Sequence, residues 1–226
     1  MKFFYVILFF FLFGVSKMQT IQITNCSQLQ DIQKNKTADY ELANDIDCST
    51  IQNFVPIGNV TNKFTGTLNG NNHSISNLNI IVQDNSTHVG IINFAYGTTI
   101  KNIVLIDINV DVRTNCNFIG LLFGYCINSN ISNIQLKTSS ENKRNLITGN
   151  STTYLFAGSL VGLIYFSNID NVTVQNTLVN FTTGYYVGGL FGCIEFKTNI
   201  SNCHNLGFLN FFFFFKKINL IFFFPI

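Results

Sequence analysis

Apolar and polar residues alternate along this chain in short runs. In VLIDINVDVR (104–113), Ile106, Ile108, Val110 and Val112 fall on one side and Asp107, Asn109, Asp111 and Arg113 on the other. That period of two predicts a half-buried strand, and the β-branched residues that fill such runs agree. One stretch departs toward a helix. In NCSQLQDIQKNKT, Ser27 and Gln30 have capping-box spacing, while Leu29 and Ile32 share a face. DYELANDIDCS then predicts a strand ending near Cys48, and Pro56, Gly58, Gly66 and Gly70 mark turns between the short strands that follow.

From residue 75 the pattern repeats. ISNLNI, IKNIVL, ISNIQL, IDNVTV and ISNCHN share apolar-x-Asn-apolar, with central asparagines at Asn77, Asn102, Asn133, Asn171 and Asn202, spaced 25, 31, 38 and 31 residues apart. A glycine segment precedes each of the last four, at Gly90, Gly120, Gly158 and Gly188, and three of these have a second glycine at Gly124, Gly162 and Gly192. Glycines four apart also mark the seam between membrane helices. The apolar run FIGLLFGYCI is only about ten residues, against the ~20 a span needs, and a helix seam gives no reason for a following I-x-N. A repeat of this length and unequal spacing predicts a solenoid of strands, each rung pairing with the next about 4.8 Å away. The recurring asparagine is expected at a turn in left-handed geometry, stacking from rung to rung. Glycine is expected to allow the tight bends.

The strings DYELANDIDC, VPIG and FTGTLNGNNHSISNLNI, followed by repeated VGGLFG and ISN, resemble the GLUG-motif proteins. GGLFG (188–192) and GLLFG (120–124) are close to the motif, GSLVG (158–162) is looser, and GIINF (90–94) lacks the final glycine. The resemblance covers about residues 25–205. It implies a right-handed parallel β-helix on a secreted or surface protein, often large, adhesive or without an assigned role. Some members carry a metallopeptidase, but H-E-x-x-H does not occur here and His73, His88 and His204 are isolated in sequence, so no peptidase role carries over.

The N-terminus changes the picture from fold to location. Lys2, an apolar run over 3–13, and small residues at Gly14 and Ser16 read as a secretory signal peptide over 1–16. Six cysteines follow (Cys26, Cys48, Cys116, Cys126, Cys193 and Cys203), an even number that fits an oxidising compartment. They allow many pairings; Cys26 with Cys48 is the candidate disulfide that would clamp the helix to the first strand. Sequons begin at Asn25, Asn35, Asn59, Asn72, Asn85, Asn130, Asn150, Asn171, Asn180 and Asn199, so a glycoprotein is expected. Asn, Ser and Thr are common enough here that many sequons arise by chance.

The 226 residues carry 11% charged residues and a net charge of +2, with Lys and Arg scattered, which does not support nucleic-acid binding. Asp107 and Asp111 sit about 13 Å apart on one strand face, too far for paired glycosidase carboxyls, which need about 5–9.5 Å. Asp45 and Asp47 are nearer, about 7 Å, but lie in the structural NDID string beside Cys48. No C-x-x-C occurs, which disfavours a zinc site; no metal or cofactor is expected, and no catalytic set is assigned. FLNFFFFFKKINLIFFFPI (208–226) abandons the rung pattern. Two lysines in the middle disfavour a span, and a translated non-coding stretch is the preferred reading. Membrane contact is expected only through this tail.

These readings predict an all-β chain: a parallel β-helix over 21–207 with a short N-terminal capping helix. The expected function is non-enzymatic, in cell-surface structure, adhesion or ligand binding, with glycans or surface proteins as partners. The alternative is a carbohydrate-active β-helix enzyme, which needs acids from adjacent rungs converging in a cleft. A carbohydrate-binding module should instead expose stacked aromatics, and Tyr185 and Tyr186 are the only adjacent tyrosines.

Overall fold

The computed structural model describes residues 19–84, 86–149, 155–181 and 186–211. The leader expected over 1–16 lies outside these residues, as do Asn85, Asn150, Tyr185 and the tail from 212 onward.

The described chain winds as a parallel β-solenoid. One coil runs through strand Thr99–Ile106, turns into Asn109–Val112, crosses to Phe118–Ile119 and returns along Phe123–Ile127. The next repeats this with Asn130–Lys137, Asn145–Gly149, Phe156–Gly158 and Val161–Tyr165. The one after uses Asn168–Phe181, Tyr186–Gly188 and Phe191–Glu195. Every coil-to-coil pairing is parallel, which gives one long sheet and two four-stranded sheets. The step between coils is 31 residues from Asn102 to Asn133 and 38 from Asn133 to Asn171. The longer coil places most of its extra residues in the loop 138–144, between Lys137 and Asn145.

Inward side chains stack in columns. Ile100, Ile131 and Ile169 are in register, as are Ile103, Ile134 and Val172, then Val110, Ile147 and Val179, all at most 1% exposed. Each such side chain contributes about 1.5–3 kcal/mol by leaving water. Cys203 continues the Ile103 column, as its place in ISNCHN predicts. Buried polar groups at one corner are paired: the Ser129 hydroxyl accepts from the Thr98 amide at 3.3 Å and the Ser167 hydroxyl from the Ser129 amide at 3.1 Å.

The first coil is covered by α-helix Cys26–Gln30 and the 3₁₀ turn Asp31–Lys34, with Leu29 and Ile32 fully buried. The cap residue is Asn25, not Ser27: the Asn25 carbonyl oxygen of the side chain accepts from the Gln28 amide, and the Gln28 side chain accepts from the Thr24 amide. The Gln30 side chain donates to the Val55 carbonyl and accepts from the Val55 amide, both at 2.8 Å, docking the cap onto the loop below it. Cys26 and Cys48 are disulfide-bonded.

Two expectations shift. The alternation through 106–113 breaks at Asp107, which has φ +56. That left-handed corner divides the run into two strands and flips the parity, so Ile103 and Leu105 point inward before it and Ile108, Val110 and Val112 after it, while Ile106 is half-buried. The rung pattern also runs past 207: strand Asn199–Phe211 keeps 208–211 paired with 178–181.

Candidate binding surface

The repeat asparagines occupy left-handed corners. Asn77, Asn102, Asn133, Asn171 and Asn202 have φ between +52 and +57, a region in which asparagine is tolerated and most side chains are not. Asn102, Asn133 and Asn171 stack in one ladder, each side-chain amide donating to the oxygen of the residue one coil below. The ladder starts on Asn69, with distances of 3.0, 2.8 and 2.8 Å. Asn202 donates instead to Asp170 at 2.8 Å. Asn77 stands at a different corner. Ser76 pairs with Asp47 below and with Ile106 above, so Asn77 lies at the corner of Asp107 and not at that of Asn102, and its amide reaches back to Asp47. A second ladder joins Asn130, Asn168 and Asn199 at 2.9 Å per step.

The glycines serve close approach. None of the seven repeat glycines has positive φ. A Cβ on Gly124 would lie 2.5 Å from the Val89 nitrogen, and one on Gly192 2.5 Å from the Ala157 nitrogen. Likewise a Cβ on Gly90 would lie 2.8 Å from the Gly124 nitrogen, and one on Gly158 2.6 Å from the Gly192 nitrogen. Gly120, Gly162 and Gly188 meet backbone in the same way. Backbone of the two short sheets packs on backbone here, and a side chain has no room.

The acids act as stitches between coils. Asp39 accepts from the Thr67 hydroxyl, Asp45 from the Ser74 amide, Asp107 from Ser139 and Lys143, Asp111 from Thr148, and Asp170 from Ser201 and Asn202. Hydrogen bonds from Ser74 hold Asp45 below the usual carboxylate range, those from Asn77 and Ser49 do so for Asp47, and those from Ser201 and Asn202 for Asp170. Among the described residues no group of three or more His, Cys, Asp or Glu is placed to hold a metal ion. A shallow depression of about 230 Å³ lies over Gln135, Lys137, Thr173 and Gln175, and none of these is an acid.

The outward faces of the short sheets carry aromatic rings, which sequence spacing did not reveal. His88, Phe118, Phe156 and Tyr186 are in register, with ring centroids 5.0, 5.3 and 4.7 Å apart. Beside them Phe94 meets Tyr125 at 4.7 Å, and Tyr125 meets Tyr165 at 5.6 Å. Burial among these rings pushes the His88 imidazole down to about 4. At the next corner half-buried Tyr165 joins exposed Phe166 and Phe196, which are 51% and 66% accessible. Tyr186 lies in the first column; Tyr185 is outside the described residues.

Cys116 and Cys126 are buried thiols, each pushed up to about 12 by burial. Cys193 and Cys203 are half-buried. Cys126 is in register with Ile164 whereas Cys193 is in register with Leu163, so the two stand at different places in their coils.

No family profile matches the chain, and neither does any curated protein sequence. Among solved structures the chain is similar to that of a putative immunoglobulin A1 protease from Bacteroides ovatus, with 16% identity and a TM-score of 0.53, covering 87% of this chain and 68% of that one. At that identity the likeness concerns the fold alone: this chain shares a β-solenoid architecture with that protein.

Proposed function

We propose that this chain is an exported, non-enzymatic β-helix repeat protein that works at the cell surface by presenting its outer faces to a ligand. The observation that carries the reading is the use made of its acids. Five of them spend their oxygens on donors from the adjacent coil, so they serve the stack, while aromatic rings occupy the outward faces of the short sheets. The leader-like N-terminus, the GLUG-like repeats and the Cys26–Cys48 disulfide all support export, since disulfides persist in oxidising compartments. Among the described residues no helix is long and apolar enough to cross a membrane.

The test is antibody labelling of intact cells and of the culture medium, with mass spectrometry of the mature N-terminus. The reading expects external protein that begins close to residue 17. Protein confined to the cell interior overturns it. Cleavage of a polysaccharide by the purified chain would replace it with the enzymatic alternative.

A further inference from the structure

The corner that follows the second short sheet is left-handed in the four successive coils whose sheet strands begin with Ile92–Tyr96. It is occupied in turn by Gly97 (φ +64), Asn128 (φ +52), Phe166 (φ +47) and Phe196 (φ +39). The four are stacked, since Gly97 donates to the Ile127 carbonyl, Asn128 to the Tyr165 carbonyl and Phe166 to the Phe196 carbonyl. Glycine and asparagine suit that backbone, whereas a bulky L side chain costs about 1–2 kcal/mol there. Twice, then, the chain puts phenylalanine where its backbone is least welcome. Burial does not repay the cost, because these are two of the most exposed large apolar residues described.

The rings are arranged. Phe166 and Phe196 lie 13° from parallel with centroids 5.6 Å apart, and Tyr165 stacks on Phe196 at 5.8 Å and 19°. A polar edge adjoins them. The Tyr165 hydroxyl is hydrogen-bonded to the Glu195 carboxylate and to Tyr125, and the Cys193 thiol also reaches Glu195, at 3.7 Å. An aromatic plane open to solvent, beside hydroxyls and a carboxylate, has the two parts that recognise a sugar ring. C–H groups on one face of a pyranose pack on the negative π-face, and its hydroxyls exchange hydrogen bonds with carboxylate and tyrosine. The anionic Glu195 favours a neutral sugar over an acidic one. A residue that is strained and exposed together is where function is expected.

We infer that Tyr165, Phe166 and Phe196, edged by Glu195, form a binding platform for the neutral pyranose rings of a glycan. This rests on the surface-binding reading above and names its ligand class.

The test uses the full mature chain, with calorimetric titration against cello-, manno- and chito-oligosaccharides. Phe166→Asn and Phe196→Gly place a corner-compatible residue at each site, so each variant is expected to fold with an unfolding midpoint equal to or above that of the parent. Binding of at least one series is expected in the parent, weakened about tenfold or more in each variant. Val60→Ser, an exposed apolar residue in another loop, is expected to bind like the parent. The inference is overturned if the parent binds none of the three series, or if binding survives in the double variant. It is also overturned if the rings instead drive self-association, seen as a dimer in sedimentation that the variants abolish. Surface labelling of cells separates the two claims: external protein that binds no glycan removes the platform alone, whereas internal protein removes the export reading.

Discussion

Asn102 sits inside the asparagine ladder and at a left-handed corner, so replacing it separates two contributions. Its side chain donates to Asn69 at 3.0 Å and accepts from Asn133 at 2.8 Å. Losing two such bonds costs about 1–2 kcal/mol net, because Asn69 still pairs with Asn71 and the exposed Asn133 can turn to water. The backbone adds a second cost. At φ +57 asparagine offsets the crowding of its Cβ against the following carbonyl by local side-chain hydrogen bonding, which alanine lacks and glycine does not need, so alanine loses about 1–2 kcal/mol more. Asn102→Ala is therefore expected to cost about 2–4 kcal/mol in total and Asn102→Gly about 1–2 kcal/mol. The order matters more than either size, since glycine in a regular strand is normally the worse of the two by about 0.5–1 kcal/mol. Urea unfolding followed by tyrosine fluorescence and circular dichroism reads both variants. If Asn102→Ala equals or exceeds Asn102→Gly in stability, the corner is not left-handed and the reasoning fails.

Gly124→Ala forces a Cβ to within 2.5 Å of the Val89 nitrogen and is expected to cost about 1–3 kcal/mol in the same urea assay; a neutral result would contradict the backbone-on-backbone contact. Reducing the Cys26–Cys48 bond, which closes a separation of 22 residues, should lower stability by about 3 kcal/mol, and hydrogen exchange should locate the loss at the cap; unchanged protection of Leu29 and Ile32 would refute this. The His88 ring faces Phe94, Phe118, Tyr125 and Thr87, and its folded value of about 4 lies below the ordinary 6.5. The unfolded chain thus binds this proton first as pH falls. Its contribution is complete above about 6.5 and declines toward pH 4. His88→Phe, which extends the Phe118 and Phe156 column, should flatten that slope. An NMR titration midpoint near 6.5 for His88 in the folded protein would remove the basis for this.

What the sequence disclosed was governed by periodicity. The I-x-N tripeptide is local, and left-handed asparagine needs only its own backbone, so those corners were legible as turns. Which corner each one occupies was not. ISNLNI resembles IKNIVL, yet Asn77 lies at the Asp107 corner, because register is decided by the inward columns of whole coils. The signal was present: 25 residues is out of line, whereas Asn79 and Asn109 are partners at a separation of 30. Asp107 hid its corner by interrupting an otherwise clean alternation with a residue that also tolerates positive φ. The glycine role was read as bending because close approach depends on the neighbouring coil. The platform was hardest to see, since Phe166 and Phe196 become neighbours only after the corner column of Gly97 and Asn128 is aligned.

The central claim is the register of the stack, and oxidative cross-linking tests it directly. Thr67 and Thr99 are partners across adjacent coils, whereas Ser74 pairs with Val104. A sequence-repeat register that sets Asn77 beside Asn102 would pair Ser74 with Thr99 instead. Cysteines at paired strand positions lie within the ~4.4–6.8 Å Cα range of a disulfide. The account predicts that the Thr67→Cys, Thr99→Cys protein cross-links within the folded monomer under mild oxidation, and that the Ser74→Cys, Thr99→Cys protein does not. Cross-linking of the second pair and not the first would contradict it.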